Sequence, residues 1–225
     1  MAYYMNSNSL MENNIVSISG KVISDPEFSH EVYGEGFYIT YVRVPRLSEA
    51  YDELPVIFSE RLISPDKIKV DSYISVEGQF RSYNNYNNQS GRKLMLLVFA
   101  RELEVHDEEV KNKNPNQIYL NGFVCRKPQY RTTPFGREIS DILLAVNRAY
   151  NKSDYIPCIA WGRNARYAST FEVGDNIKIW GRVQSRVYQK KLSEDHIEER
   201  VAYEVSVSKL EVVKENNNKK EEKGD

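Results

Sequence analysis

The chain has 225 residues, of which 31 are Lys or Arg and 32 are Asp or Glu, so its formal charge at pH 7 is −1. A content of 40% hydrophobic and 12% aromatic residues excludes wholesale disorder. No run reaches the roughly 18 to 20 apolar residues of a membrane span, and the start lacks a basic region followed by an apolar stretch, so we expect a cytoplasmic protein that does not contact membranes.

After a polar start, which we predict to be a flexible N-terminus over residues 1–13, the chain repeats itself. Gly20 matches Gly122 at an offset of 102. The same offset relates further pairs: Pro26 and Pro128, Gly34 and Gly136, Arg46 and Arg148, Asp52 and Asp154, Ile57 and Ile159, and Arg61 and Arg163. A repeat of this length predicts two copies of one domain, each long enough to form its own core.

The repeat divides the chain into segments. A first domain is predicted over residues 14–105, a charged Asn-rich linker over 106–115 and a second domain over 116–213. Residues 214–225 contain no apolar side chain, and we expect them to form a disordered tail. Independent folding of the two domains is the expectation that follows from this division.

Alternating apolar residues predict five strands in the second copy. The residues that alternate are Ile118, Leu120 and Val124; Ile142, Leu144 and Val146; Ile156, Cys158 and Ala160; Ile177, Ile179 and Val183; and Val201, Tyr203, Val205 and Val207. Between the third and fourth strands, the spacing of Ala165, Ala168 and Phe171 favours a short helix. We therefore predict an all-β protein with two tandem OB-fold five-stranded barrels, each with a short helix or loop after the third strand.

The face opposite to the core carries rings and cations. On the fourth strand this face holds Trp180, Arg182, Arg186 and Tyr188, and on the third strand it holds Tyr155 and Trp161, followed by Arg163. Rings that stack on bases and cations that neutralise phosphates are what a single nucleic-acid strand needs. An ordinary solvated face with rings that cover a loop is the alternative on one strand alone, and the second such strand favours nucleic-acid binding.

Charge distribution favours the same interpretation. Residues 114–214 contain 16 Lys and Arg against 11 Asp and Glu, whereas residues 14–105 contain 10 against 13. The near-neutral total therefore combines a basic half with an acidic half.

The second copy resembles the bacterial single-stranded DNA-binding proteins of replication, recombination and repair. The resemblance lies in LNGFVCRKPQYRTTPFGREISDILLAVNRAYNKSDYIPCIAWGRNA and GDNIKIWGRVQSRVYQ, and more weakly in SGKVISDPEF and VEGQFRS of the first copy. It implies sequence-independent binding of single-stranded DNA by base stacking at four aromatic positions, with nearby cations on the phosphates and an association with the nucleoid. The implied stacking residues are Tyr150, Tyr155, Trp161 and Tyr188, with Trp180 beside them, and the implied cations are Arg148, Lys152, Arg163, Arg182 and Arg186.

The chain departs from that family in two places. The four stacking positions of the first copy hold Ser48, Glu53, Ser59 and Asn85, so we expect a degenerate binding face there and an assembly role with weak DNA contact. The alternative is a remodelled path supplied by other rings and cations, namely Phe58, Tyr83, Tyr86, Arg46, Arg61 and Arg81. The family's tail usually ends in an acidic tip with apolar residues that docks replication or repair proteins, and the end KKEEKGD has no such tip. The resemblance also implies a homodimer, because members usually assemble four OB folds.

Other functions stay open at this point. Stacking is largely blind to sugar type, so an RNA-binding OB protein or an accessory protein of a primosome, plasmid or phage fits the same residues. An interaction protein that uses both domains for assembly would also expose rings. We do not expect an enzyme, a metal or a cofactor, because no catalytic triad, phosphate-binding loop or carboxylate cluster is evident. Asp154 is expected to cap a loop or to pair with Lys152.

Overall fold

A computed structural model describes residues 13–87, 91–191 and 197–213. Residues 1–12 of the predicted N-terminal segment and the whole predicted tail lie outside these ranges. The chain is built from strands, as predicted. The first half contains β1 (Asn14–Val22), β2 (Glu27–Val32), β3 (Glu35–Pro45), β4 (Tyr51–Ser59), β5 (Tyr73–Asn87) and β6 (Gly91–His106). The second half contains β7 (Asn116–Val124), β8 (Gln129–Thr132), β9 (Glu138–Asn147), β10 (Ser153–Trp161), β11 (Asn176–Lys191) and β12 (Ile197–Val212).

Five strands close a barrel in each half, which confirms the predicted OB fold. In the first half β1 pairs with β3 and β5, β3 pairs with β4, and β6 joins β5 to β4, the last contact being parallel. The second half repeats these pairings with β7, β9, β10, β12 and β11. After the third barrel strand the second half has the predicted helix, α1 (Arg163–Ala168), and the first half has only a 3-10 turn (Pro65–Lys67).

Each half also has a sixth strand that the sequence pattern did not predict. The short strands β2 and β8 pair with β3 and β9 and lie outside the closed barrels. All their residues are exposed. A strand exposed on both faces has no hydrophobic alternation, so the period-two signal that reveals the barrel strands is absent there.

The alternating apolar residues fill the barrel interiors. Ile156, Cys158 and Ala160 on β10 are at most 2% exposed, as are Ile177, Ile179 and Val183 on β11. A β-bulge at Gly181 lets β11 bend around the barrel, and a Cβ there would lie 2.2 Å from the carbonyl oxygen of Ser206. Glycine is therefore required by the close approach of β12.

A local twofold axis relates the two barrels. β1 pairs with β7 in antiparallel register, with Val16 opposite Ile118. These two residues are also equivalent in the repeat, since they differ by the offset of 102, so the axis passes between them. Both barrels thereby share one continuous sheet, in the order β6-β5-β1-β7-β11-β12. In an isolated first domain the edge of β1 that pairs with β7 would be unpaired. The expectation of independent folding did not take this pairing into account.

Candidate nucleic-acid interface

Two of the predicted rings lie on the outer face of β10. Tyr155 is 47% exposed and Trp161 is 38% exposed, whereas Ile156 and Ala160, which have the opposite parity, are fully buried. The six-residue separation places the two rings about 20 Å apart along the strand. This spacing leaves room for several nucleotides of an extended strand.

Tyr150 lies in the turn that connects β9 to β10. Tyr150 and Asn151 have positive φ angles of 59° and 53°, and the turn is closed by a 2.7 Å hydrogen bond from the backbone N–H of Arg148 to the carbonyl of Lys152. Left-handed backbone is unfavourable for a residue with a bulky side chain. The turn projects the Tyr150 ring into solvent, where it is 93% exposed.

The fourth ring, Tyr188, lies on β11 beside the first domain. Its ring centroid is 5.8 Å from the guanidinium carbon of Arg186. Tyr188 lines a cleft of about 940 Å³ whose opposite wall includes Tyr41 and Tyr51 of the first domain. Tyr203 also lines the cleft, and burial together with the nearby Tyr41 and Glu53 raises the pKa of its phenol to about 12. Sequence parity gave no sign that this face of the second domain would meet the first.

Trp180 is half-buried and makes contacts within the second domain. Its ring centroid lies 5.2 Å from that of Tyr119, and the Nζ atom of Lys209 lies 4.6 Å from the Trp180 centroid. These neighbours occupy much of the ring surface, so Trp180 offers a base less area than Trp161 does.

Two of the predicted cations are held by buried carboxylates. Arg148 lies 3.3 Å from Asp154, and Arg182 lies 2.9 Å from Asp52 of the first domain. Both carboxylates are completely buried, whereas the two arginine side chains are 25% and 33% exposed. The expected pairing of Asp154 with Lys152 is replaced by the pairing with Arg148. Arg148 and Arg182 therefore have a structural role that was not evident from the sequence.

The buried carboxylates also join the two barrels by hydrogen bonds. An Oδ1 atom of Asp154 accepts from the backbone N–H of Ser82 at 2.8 Å, and Asp52 accepts in the same way from Ser185. Burial raises the pKa of the Asp154 carboxyl, although the Ser82 N–H and Arg148 oppose the shift. Burial also lowers the pKa of Arg182, which Asp52 partly offsets.

The other three predicted cations are exposed near the rings. Lys152 follows the Tyr150 turn, Arg163 begins the helix after Trp161, and Arg186 precedes Tyr188 by two residues. The Arg186 side chain is 54% exposed and lies 3.4 Å from Glu204. This placement leaves the guanidinium accessible to a phosphate.

The first-domain positions equivalent to the four stacking rings hold no aromatic residue where their side chains are described. Glu53 is ion-paired with Arg43, and the Ser59 hydroxyl donates to Glu35. Ser48 is exposed, and the Asn85 side chain lies outside the described part. Within the described ranges there is also no cluster of three His, Cys, Asp or Glu residues that could hold a metal, and no helix long and apolar enough to span a membrane.

Comparisons with known proteins agree with this architecture. Residues 115–213 match the family described as the Single-strand binding protein family. Single-stranded DNA-binding protein 1 of Staphylococcus aureus (strain COL) is 32% identical over 83 residues, which are 34% of this chain and 50% of that protein. The Single-stranded DNA-binding protein of Thermus thermophilus is 24% identical over 152 residues, which are 60% of this chain and 57% of that protein. The chain thus spans about half the length of the relatives it matches.

A solved structure shares the whole fold. The wild-type single-stranded DNA binding protein from Thermus aquaticus superposes with a TM-score of 0.70 over 90% of this chain and 93% of that chain, at 20% sequence identity. A deletion mutant of the same protein gives the same TM-score at 21% identity, over 92% of this chain and 98% of that chain. The two-barrel arrangement is therefore a known fold.

Proposed function

We propose that the chain, whose residues 115–213 match the single-strand binding protein family, binds single-stranded DNA without sequence preference. Binding would occur by stacking of bases on four rings of the second domain, Tyr150, Tyr155, Trp161 and Tyr188. Each stacked base contributes about 1 to 3 kcal/mol, and any base can stack because all have a π-face.

The observation that carries this proposal is the exposure of those four rings. Their exposed fractions run from 93% for Tyr150 to 36% for Tyr188, whereas the inward-facing apolar residues of β10 and β11 are buried. Exposed rings with cations beside them supply the base stacking and phosphate contact that single-strand binding needs. Their positions agree with those that the family resemblance implies for base stacking.

Cations beside the rings support phosphate contact. Lys152, Arg163 and Arg186 are exposed and would neutralise phosphates directly, whereas Arg148 and Arg182 would contribute through their field from half-buried positions. A strand held in this way is protected while unwound, which suits replication, recombination and repair in association with the nucleoid. We also propose that the chain forms a homodimer, so that its light-scattering mass would be twice 26.2 kDa.

Affinity measurements on the full chain test the proposal. Trp161→Ala and Tyr155→Ala should each weaken binding of a labelled oligo(dT) at least fivefold in fluorescence polarisation, since each removes a stacking ring. Phe135→Ala is the matched control, because Phe135 is a 92% exposed ring of the same domain that the proposal does not use. Duplex DNA should compete poorly.

Two outcomes would contradict the proposal. Stronger competition by oligo(U) than by oligo(dT) would favour an RNA-binding protein. Unchanged DNA affinity combined with a reduced light-scattering mass in Trp161→Ala would mean that the rings are an assembly interface.

A further inference from the structure

A row of rings and cations crosses the outer face of the first domain. The His30 and Phe37 rings are stacked at 5.0 Å with an angle of 7° between their planes, and the Phe37 and Phe99 centroids lie 6.1 Å apart. The guanidinium carbon of Arg81 lies 3.9 Å from the Phe99 centroid, and that of Arg101 lies 5.6 Å from it. The row thus runs from β2 across β3 and β6 to β5.

These rings surround the position at which the first domain has lost its matched ring. Ser59 on β4 is the repeat equivalent of Trp161. Phe37 is directly paired with Ser59, and Phe99 lies on β6, which flanks β4 on its other side. The second domain has Ile139 and Ser206 in the equivalent places, as the strand registers show. The first domain therefore carries its rings on the two strands beside β4, whereas the second domain carries its ring on the corresponding central strand.

The row is continuous with the interface of the second domain. The backbone N–H of Tyr155 donates to the Ser82 hydroxyl at 2.9 Å, and the guanidinium carbon of Arg148 lies 5.9 Å from the Tyr83 centroid. On β5, Tyr83 and Arg81 point to the same face, about 7 Å apart. A strand that leaves Tyr155 could therefore continue past Tyr83 to Arg81.

Arginines give the β5 end of this route a positive charge, whereas Glu35, which accepts from the Ser59 hydroxyl and pairs with Arg61, places a carboxylate beside Phe37. Arg81 donates to Oε1 of the neutral Gln79 side chain at 2.8 Å. Arg101 and Arg148 lie near enough to disfavour the charged form of Arg81, whose pKa is lowered chiefly by burial. Asp154 is fully buried beneath Arg148. A phosphate on the surface would relieve the repulsion among the three arginines.

We propose that the row formed by His30, Phe37, Phe99, Arg81 and Arg101 is a second stacking site, which binds single-stranded DNA that continues from the second domain. This inference rests on the proposed function and extends it to residues outside the four matched positions. It also goes beyond the expectation that the first domain has a degenerate binding face and an assembly role. Phe37 and Phe99, which are half-buried, would stack on bases with the ring area that His30 and Arg81 leave accessible, and the two arginines would contact the phosphates.

Oligonucleotides of two lengths test this site in the full chain. An OB fold covers about 4 to 16 nucleotides, so oligo(dT) of about 12 nucleotides can be held by the second domain alone and one of about 40 can reach both domains. The double variant Phe37→Ala with Phe99→Ala should bind the long oligonucleotide about tenfold more weakly or worse, with little change for the short one. Phe28→Ala is the matched control, because Phe28 is a 61% exposed ring of β2 that contacts Tyr38 instead of the row.

A milder variant and a covalent readout separate a binding effect from misfolding. Phe99→Leu preserves an apolar side chain for packing but removes the ring, and it should also weaken the long oligonucleotide selectively. Ultraviolet crosslinking of the wild type to oligo(dT), followed by mass spectrometry, should modify peptides that contain Phe37 or Phe99.

The outcomes distinguish this inference from the proposed function. Crosslinks confined to the second domain, or an unchanged affinity of both row variants for the long oligonucleotide, would overturn the second site. Tight binding of the short oligonucleotide in the same experiment would sustain the proposed function. A reduced light-scattering mass in Phe99→Leu would overturn it in favour of an assembly surface. Failure of the wild type to bind either length would refute both.

Discussion

The substitution Asp52→Ala tests how strongly the two barrels are held together. Asp52 is fully buried and accepts hydrogen bonds from Arg46 at 2.6 and 2.9 Å, from Arg182 at 2.9 Å and from the backbone N–H of Ser185 at 2.8 Å. Alanine would leave two arginines and a backbone N–H without their carboxylate. Breaking a buried ion pair by removing one partner costs about 3 to 5 kcal/mol. Because both arginine side chains keep roughly a third of their area in water, we expect about 3 kcal/mol.

Asp154→Ala is the matched comparison, because Asp154 is the repeat equivalent. Asp154 has a single arginine partner at 3.3 Å, and its Oδ2 atom is buried without a hydrogen-bond partner. The wild type already bears that desolvation penalty, so we expect a loss of only about 1 to 2 kcal/mol. Urea unfolding of the full chain, followed by circular dichroism, measures both. A loss below about 1 kcal/mol for Asp52→Ala, or equal losses for the two variants, would refute the reasoning.

Three further predictions concern pH, salt and the bulge. Because the pKa of Asp154 is raised in the folded state, its contribution to stability is greatest below the unfolded pKa and falls as pH rises through the folded pKa. In urea titrations the stability of Asp154→Asn relative to wild type should therefore increase with pH from about 4 upward. A decrease would contradict the raised pKa of Asp154. Arg186→Ala should make the slope of log affinity against log salt shallower by about 0.7, whereas Lys21→Ala, which breaks an ion pair with Asp71 in the first domain, should leave it unchanged; equal slopes in all three proteins would exclude a phosphate contact. Gly181→Ala should destabilise the chain by about 2 kcal/mol or more in urea unfolding, because its Cβ would meet the Ser206 carbonyl, and a loss under about 0.5 kcal/mol would show that the bulge relaxes.

The repeat and the barrel strands could be predicted from the sequence because both leave local signals. Period-two alternation identifies the buried positions of β10 and β11, and the offset of 102 then transfers the same fold to the first half. The two short strands were missed because both their faces are exposed.

The contacts between the barrels could not be predicted, because parity shows which way a side chain points but not what lies opposite. Arg182 has the parity of an exposed cation, yet the residue opposite it is Asp52, 130 positions away in the chain. Phe37 and Phe99 were overlooked for a related reason. Matching positions one by one finds Ser59 in place of a ring, whereas Phe37 and Phe99 become its neighbours only through strand pairing.

Tryptophan fluorescence offers the most direct test of base stacking on the second domain. Titration of the full chain with oligo(dT) should quench its emission, and Trp161→Phe should abolish most of that quenching. Trp180→Phe should retain it, because the Trp180 ring is already contacted by Tyr119 and Lys209. Quenching that persists in Trp161→Phe and disappears in Trp180→Phe, or no quenching of the wild type at low salt, would contradict the account.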